Sequence, residues 1–146
     1  MLFKKLGKLI TPVMALVIML GIGGCEGEVS VTTADFSEAK MALGVDADNR
    51  PVNPTTVFAV DTPEIFCSAK LSNAPADTEI TSSWVYVSGE ADLTDYEIDS
   101  YTLTADGTRY VEFSLSVPDT GWPRGNYQLV LSINGKENET LEFTVE

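Results

Sequence analysis

The sequence contains no histidine and only two cysteines. Histidine is the most common general base and the usual partner of a Ser or Cys nucleophile, so its absence excludes hydrolases of that type. A zinc site built from Cys and His has almost no ligands to use. No glycine-rich phosphate-binding loop follows a predicted strand. We therefore expect no catalytic residues, no cofactor and no enzyme activity.

Basic residues are also few. All 22 acidic residues follow Cys25, whereas three of the nine basic residues precede it, so the later part has six basic residues and a net charge of −16. Nucleic acids are bound by neutralising phosphates with Lys and Arg, and an anionic bilayer likewise attracts basic segments. We expect neither a nucleic-acid partner nor direct adsorption of this domain to lipid.

The N-terminal segment has the features of an export signal. Lys4, Lys5 and Lys8 precede an apolar stretch over residues 9–24, which is shorter than the roughly 20 apolar residues of a membrane-spanning helix. Its end, Ile22-Gly23-Gly24-Cys25, resembles the bacterial lipobox. That resemblance implies a signal peptide over residues 1–24 and a lipidated Cys25 that anchors the domain outside the cytoplasm, at the cell membrane or an outer membrane. An uncleaved N-terminal anchor is the alternative.

If Cys25 is acylated, the other cysteine, Cys67, has no partner for an internal disulfide. Cys67 alternates with Ile65, Ala69 and Leu71, a pattern typical of a buried small hydrophobe. We expect this thiol to lie in the core.

From residue 56 onward, short segments of alternating apolar and polar residues are separated by turn residues, which predicts an all-β domain. Seven strands are predicted, at residues 56–60, 65–71, 80–87, within 96–103, 111–117, 127–133 and 141–145. This number and spacing favour a two-sheet antiparallel sandwich over residues 56–146.

Residues 25–55 are predicted to hold the lipidated cysteine and a polar linker. Asp35 is a possible N-cap and Gly44 a possible helix end, so a short helix over residues 36–43 is plausible. The apolar residues 41–45 could instead lie against the sandwich or add an edge strand.

Several core positions resemble those of immunoglobulin-like domains. Gly125 and Tyr127 match the stretch around the tyrosine corner of that family, and Cys67 and Trp84 match its core Cys and Trp. Leu129 replaces the second cysteine, so the likeness is to the broad immunoglobulin-like or fibronectin-like sandwiches of bacterial surface proteins. The resemblance implies that the Tyr127 hydroxyl bonds nearby backbone.

Two acidic clusters are candidate calcium ligands, because a hard cation prefers oxygen ligands close in sequence. Asp46 and Asp48 form the first, and Asp92 and Asp95 belong to the second. Neither has the spacing of an EF-hand, so solvated loops are the alternative interpretation.

The connection before the sixth strand contains Trp122 and Arg124, residue types favoured in binding hot spots. Alternatively, Trp122 closes the end of the core above Tyr127.

Together these features predict a membrane-tethered, non-catalytic lipoprotein whose immunoglobulin-like sandwich binds another exported or membrane protein through a loop end or a sheet edge. The alternative function is a carrier or sensor of a small ligand or calcium.

Overall fold

The computed structural model describes residues 32–146; Cys25 and the predicted signal peptide lie outside them. The described residues form strands and contain no helix. The seven strands are β1 (Asp35–Val45), β2 (Pro51–Pro54), β3 (Val57–Phe58), β4 (Glu64–Gly89), β5 (Tyr96–Ser116), β6 (Gly125–Ile133) and β7 (Lys136–Val145).

The strands β4 and β5 form one long antiparallel hairpin that belongs to both sheets. Their pairing runs from Tyr86 opposite Tyr96, next to the hairpin loop, to Glu64 opposite Ser116. On its other edge, β4 pairs first with β1 and then with β6. The strands form one continuous hydrogen-bonded sheet in the order β2-β1-β4-β6-β7-β3, with β5 paired to β4. Because β4 changes partner along its length, this curled sheet has two layers, which we treat as the two sheets of the sandwich: β2-β1-β4-β5 and β5-β4-β6-β7-β3.

The hairpin bends where it passes from one sheet to the other. Asn73 and Asp77 have left-handed φ values of 55° and 62°, and the β4–β5 register shifts between Leu71 and Thr78. Asn and Asp tolerate this conformation better than most residues, so the sequence favours a bend here. The bend folds the second half of the hairpin over the first and produces a two-sheet sandwich. All pairings are antiparallel except that of β3 with β7.

The inward faces of the two sheets form the core, as the alternation predicted. Cys67 is fully buried and Trp84 points inward, which confirms both expectations. The rings of Tyr127 and Phe143 stack with centroids 5.1 Å apart, and Trp84 meets Phe143 edge-on at 6.2 Å. Aromatic pairs of this geometry add to the stabilisation from burial alone.

The predicted helix over residues 36–43 is wrong: this segment is part of β1. Phe36 pairs with Leu71 and Met41 with Cys67, and both β1 side chains are buried. Their separation of five would place them on opposite faces of a regular strand. A bulge after Ser37 brings both inward, and burial in the sheet outweighs the weak local preference for a helix.

The compact unit extends from Thr33 to Glu146. The sandwich therefore includes β1 and β2, which the sequence analysis placed in the linker. β1 is an inner strand, because β2 and β4 flank it.

Candidate functional site

The sandwich is open along β5. Within residues 32–146, β5 pairs with β4 alone, so its other edge is free in both sheets. A free edge presents backbone N–H and C=O groups that no strand satisfies. β5 is 21 residues long, which makes this an unusually long free edge.

A cleft of about 410 Å³ lies between the two halves of β5. We call it the β5 cleft, and its lining residues are Ser82, Trp84, Asp99, Tyr101, Leu103, Glu112, Phe113 and Ser114.

One wall of the β5 cleft is formed by side chains and the other includes strand backbone. Asp99, Tyr101 and Leu103 alternate along the first half of β5, so their side chains share one face. On the second half, three consecutive residues, 112–114, border the cleft. Successive side chains point to opposite faces, so the backbone of this edge must form part of the wall. The β5 cleft therefore combines side-chain contacts on one wall with free strand backbone on the other.

Tyr101 is the most exposed large apolar side chain at the β5 cleft, at 59%. It pairs with Ser82, and Asp99 pairs with Trp84, whose side chains face the core. Tyr101 and Asp99 thus lie on the inward side of their sheet and yet remain exposed.

The lining of the β5 cleft includes a buried hydroxyl without a partner. Ser82 is 1% exposed, and its Oγ has no hydrogen-bond partner. A buried polar group in this state destabilises a fold by about 1–3 kcal/mol, so its presence requires an explanation. The sequence does mark this position, because Ser82 is the small polar member of the inward row Ile80, Ser82, Trp84 and Tyr86.

Glu112 also has a buried oxygen, Oε1, without a partner. Because Glu112 alternates with the inward-facing Phe113, its carboxyl group belongs to the outer face of the sheet. Burial, and after it the charge of Glu64, raise the pKa of Glu112. Its backbone borders the β5 cleft, but we do not assign its carboxylate to that site.

The prediction that Trp122 is a binding residue is wrong, because its side chain lies in the core. It is 2% exposed, its Nε1 donates to the Thr62 carbonyl at 2.7 Å, and its ring lies 6.2 Å from that of Tyr127. The alternative, that Trp122 closes the end of the core, is confirmed. Arg124 is exposed nearby, and its carbonyl accepts a hydrogen bond from Tyr86.

The tyrosine corner is confirmed. The Tyr127 hydroxyl donates to the Pro123 carbonyl at 2.6 Å. Beside it, Gly89 and Gly125 face each other with no room for side chains: a Cβ on Gly89 would lie 2.3 Å from the Arg124 carbonyl oxygen. At this end of the sandwich the backbones of β4 and β6 are therefore packed too closely to admit a side chain at either position.

The two acidic clusters lie in different loops. Asp46 Oδ1 accepts hydrogen bonds from the backbone N–H groups of Arg50 and Asp48, and these bonds lower the pKa of Asp46. This carboxylate shapes the β1–β2 turn. Asp92 and Asp95 belong to the β4–β5 loop. Residues 32–146 contain no group of three or more His, Cys, Asp or Glu positioned to hold a metal ion.

Burial raises the pKa of the Cys67 thiol to about 12, so it is neither accessible nor ionised near neutral pH. Cys25 lies outside the described residues. Over residues 32–146, no helix has the length and apolarity needed to cross a membrane.

No family model matches the chain, and no curated protein matches it. Several solved structures, however, have a similar fold. An immunoglobulin-like protein of Pseudomonas aeruginosa superposes with a TM-score of 0.56 at 12% identity, over 77% of this chain and 96% of that one. An alkylpurine DNA glycosylase of Pseudomonas fluorescens, bound to DNA containing an abasic site analog, gives 0.53 at 14% identity, over 79% of this chain. The chain spans about a third of the glycosylase, 31% of its length. These likenesses establish the fold alone: the described part of this chain is an immunoglobulin-like β-sandwich.

Proposed function

We propose that this protein is an exported lipoprotein, anchored through Cys25, whose sandwich is a non-catalytic module that binds another exported or membrane protein through the free edge of β5. The observation that carries the proposal is the free β5 edge with the cleft beside it. An extended segment can add to such an edge by main-chain hydrogen bonds, and the adjacent cleft can select its side chains.

The composition of β5 restricts which segments this edge can bind. Soluble proteins commonly protect free edges with proline, lysine or other charged side chains, β-bulges or a covering element. β5 contains neither proline nor lysine, and β4 is its only strand neighbour within residues 32–146. Its charged residues are Glu97, Asp99, Asp106, Arg109 and Glu112. Such an edge discourages pairing with an acidic segment and leaves pairing with other segments open.

The proposed anchor and the charge of the domain act together. A lipid on Cys25 would hold the chain at a membrane surface, and two lipid chains or more give stable anchoring. The net charge of −16 after the signal disfavours contact with anionic lipid. The domain would then remain available to proteins instead of lying on the bilayer.

Site-specific photo-crosslinking in cells tests the interaction. A benzophenone amino acid replaces Tyr101, which is 59% exposed at the β5 cleft, and in a control it replaces Val57, which is 49% exposed on β3. We expect a discrete adduct with a membrane or exported protein from position 101 and none from position 57. Equal labelling at both positions, or no adduct at either, would contradict the proposed function.

Fractionation tests the anchor separately. Cys25→Ala should move the protein from the membrane fraction to the soluble extracytoplasmic fraction, and mass spectrometry should find the lipid on Cys25 in the unaltered chain. Retention of the variant in the membrane without any lipid on the native chain would refute lipid anchoring and favour an uncleaved N-terminal segment.

A further inference from the structure

The β5 cleft also constrains what kind of segment can bind. Strands in a sheet lie about 4.8 Å apart, and their side chains alternate between faces. A segment paired with the backbone of residues 112–114 would extend the sheet formed by β2, β1, β4 and the second half of β5. Every second side chain of that segment would then point toward Tyr101, Trp84 and Ser82.

From this arrangement we infer that the occupant is an extended segment of a partner protein that inserts a lysine or arginine side chain into the β5 cleft. The inference rests on the proposed function and identifies the chemistry of the partner at the same site. It follows from three groups at the cleft: an exposed aromatic ring, a carboxylate, and an unpaired buried hydroxyl.

Each group matches one part of a basic side chain. The aliphatic stem of Lys or Arg packs on apolar surface while its head remains polar, which suits the half-buried Leu103 and the parts of Trp84 and Phe113 that line the β5 cleft. The cationic head is attracted to the Tyr101 ring and the Asp99 carboxylate. Ser82 Oγ can accept a hydrogen bond from its N–H groups, which would satisfy the hydroxyl that is unpaired in the free chain.

The charge of β5 favours the same partner. Four acidic residues and one basic residue lie on this strand. The basic residue, Arg109, already pairs with Asp106 at 2.7 Å. An acidic side chain would be repelled by Asp99, and an apolar one would leave Ser82 Oγ buried without a partner.

Peptide binding to the full-length chain in detergent tests the inference. The probe is a fluorescein-labelled heptapeptide of alternating valine and threonine with a central lysine, and the comparison peptides carry norleucine or glutamate there. In fluorescence polarisation, we expect the lysine peptide to bind about tenfold more tightly than the norleucine peptide. The glutamate peptide should bind most weakly.

Two variants with a matched control locate the effect. Asp99→Asn should reduce the preference for lysine several-fold, whereas Asp119→Asn, the same change on an exposed loop, should leave it unchanged. Ser82→Ala should weaken binding of the lysine peptide alone and should not lower the stability of the free chain, because it removes an unsatisfied group. A purely structural role for Ser82 predicts the reverse pattern.

Backbone N-methylation tests strand addition. Methyl groups on alternate residues block one edge of the peptide, so one methylation pattern should abolish binding and the complementary pattern should preserve it. Binding of both methylated peptides would overturn the pairing with β5.

Failure of this inference can be distinguished from failure of the proposed function. Equal affinity for the lysine and norleucine peptides overturns the cationic occupant, while cross-linking at position 101 still decides whether the edge binds a protein. A dimer of this chain that dissociates when the lysine peptide is added, measured by sedimentation, would assign the edge to a second copy and overturn the inference as well.

Discussion

Replacing Tyr127 by Phe removes one hydroxyl from the tyrosine corner and leaves the rest of the ring in place. The hydroxyl donates to the carbonyl of Pro123 at 2.6 Å, and both residues are buried. The stacking of the ring on Phe143 is retained. The substitution therefore isolates one hydrogen bond and the carbonyl that depends on it.

The expected loss of stability follows from the state of that carbonyl. A buried acceptor that loses its partner destabilises a protein by about 1–3 kcal/mol, more than the net value of an average hydrogen bond. Because Tyr127 and Pro123 are both buried, water has little access to this carbonyl, and we expect a loss of about 2 kcal/mol. For a unit of roughly 110 residues, each kcal/mol corresponds to roughly 4 °C in Tm.

Urea unfolding of the two proteins, followed by circular dichroism, measures this loss as a shift in midpoint at constant slope. The matched control is Tyr110→Phe, which removes an exposed hydrogen bond from the Tyr110 hydroxyl to Glu38 Oε1 at 2.6 Å. We expect the control to lose less than about 1 kcal/mol, since water can replace an exposed partner. If Tyr127→Phe loses no more than the control, the argument from the buried carbonyl is refuted.

Three further substitutions or treatments have defined outcomes. Gly89→Ala should lower the free energy of unfolding by more than about 2 kcal/mol, because the new Cβ would collide with the Arg124 carbonyl oxygen. The control is Gly44→Ala, which has open space around the new Cβ and should change the free energy of unfolding by less than about 0.5 kcal/mol. Cys67 should react with iodoacetamide only after unfolding, since burial raises its pKa to about 12; labelling of the native chain at Cys67, detected by mass spectrometry, would show that this part of the core opens. The raised pKa of Glu112 means that its carboxyl group holds a proton more tightly in the folded state than in the unfolded state. The charge of Glu112 therefore destabilises the fold above the raised pKa, and this effect disappears as the pH falls through that pKa. Glu112→Gln should therefore raise Tm at pH 7 and lose that advantage in acid; an advantage independent of pH would contradict the assignment.

Local sequence was sufficient where strands follow simple alternation. The predicted strands at residues 111–117, 127–133 and 141–145 each have one apolar face, and β5, β6 and β7 lie there, although β5 ends at Ser116. The apolar row of β6 is fully buried, whereas Leu115, Val117 and Leu141 are half-buried. The tyrosine corner was also predictable, because Gly125 and Tyr127 resemble the corresponding stretch of immunoglobulin-like domains, and its hydrogen bond spans only four residues.

The features that escaped prediction depend on tertiary structure. The bulge in β1 places Phe36 and Met41 on the same face at a spacing that does not match a strand, and only pairing with β4 reveals it. The β5 cleft lies beside β5, which is an edge strand. No pattern of residues predicts that Tyr101, on the inward side of its sheet, is exposed. Trp122 has the composition of a hot spot, but its burial depends on Thr62, sixty residues away in sequence.

The continuity of β4 and β5 has a consequence for how the chain folds. Tyr86 and Tyr96 begin the pairing close to the hairpin loop, and the remaining pairs follow outward in order to Glu64 and Ser116. Each new pair closes a loop only slightly longer than the one before, so the entropic penalty is spread over many small steps. A single zipping event would thus create the central strand of both sheets before β1, β6 or β7 is required. For a sandwich, a topology usually dominated by distant contacts and slow folding, such a hairpin provides a local route to the nucleus.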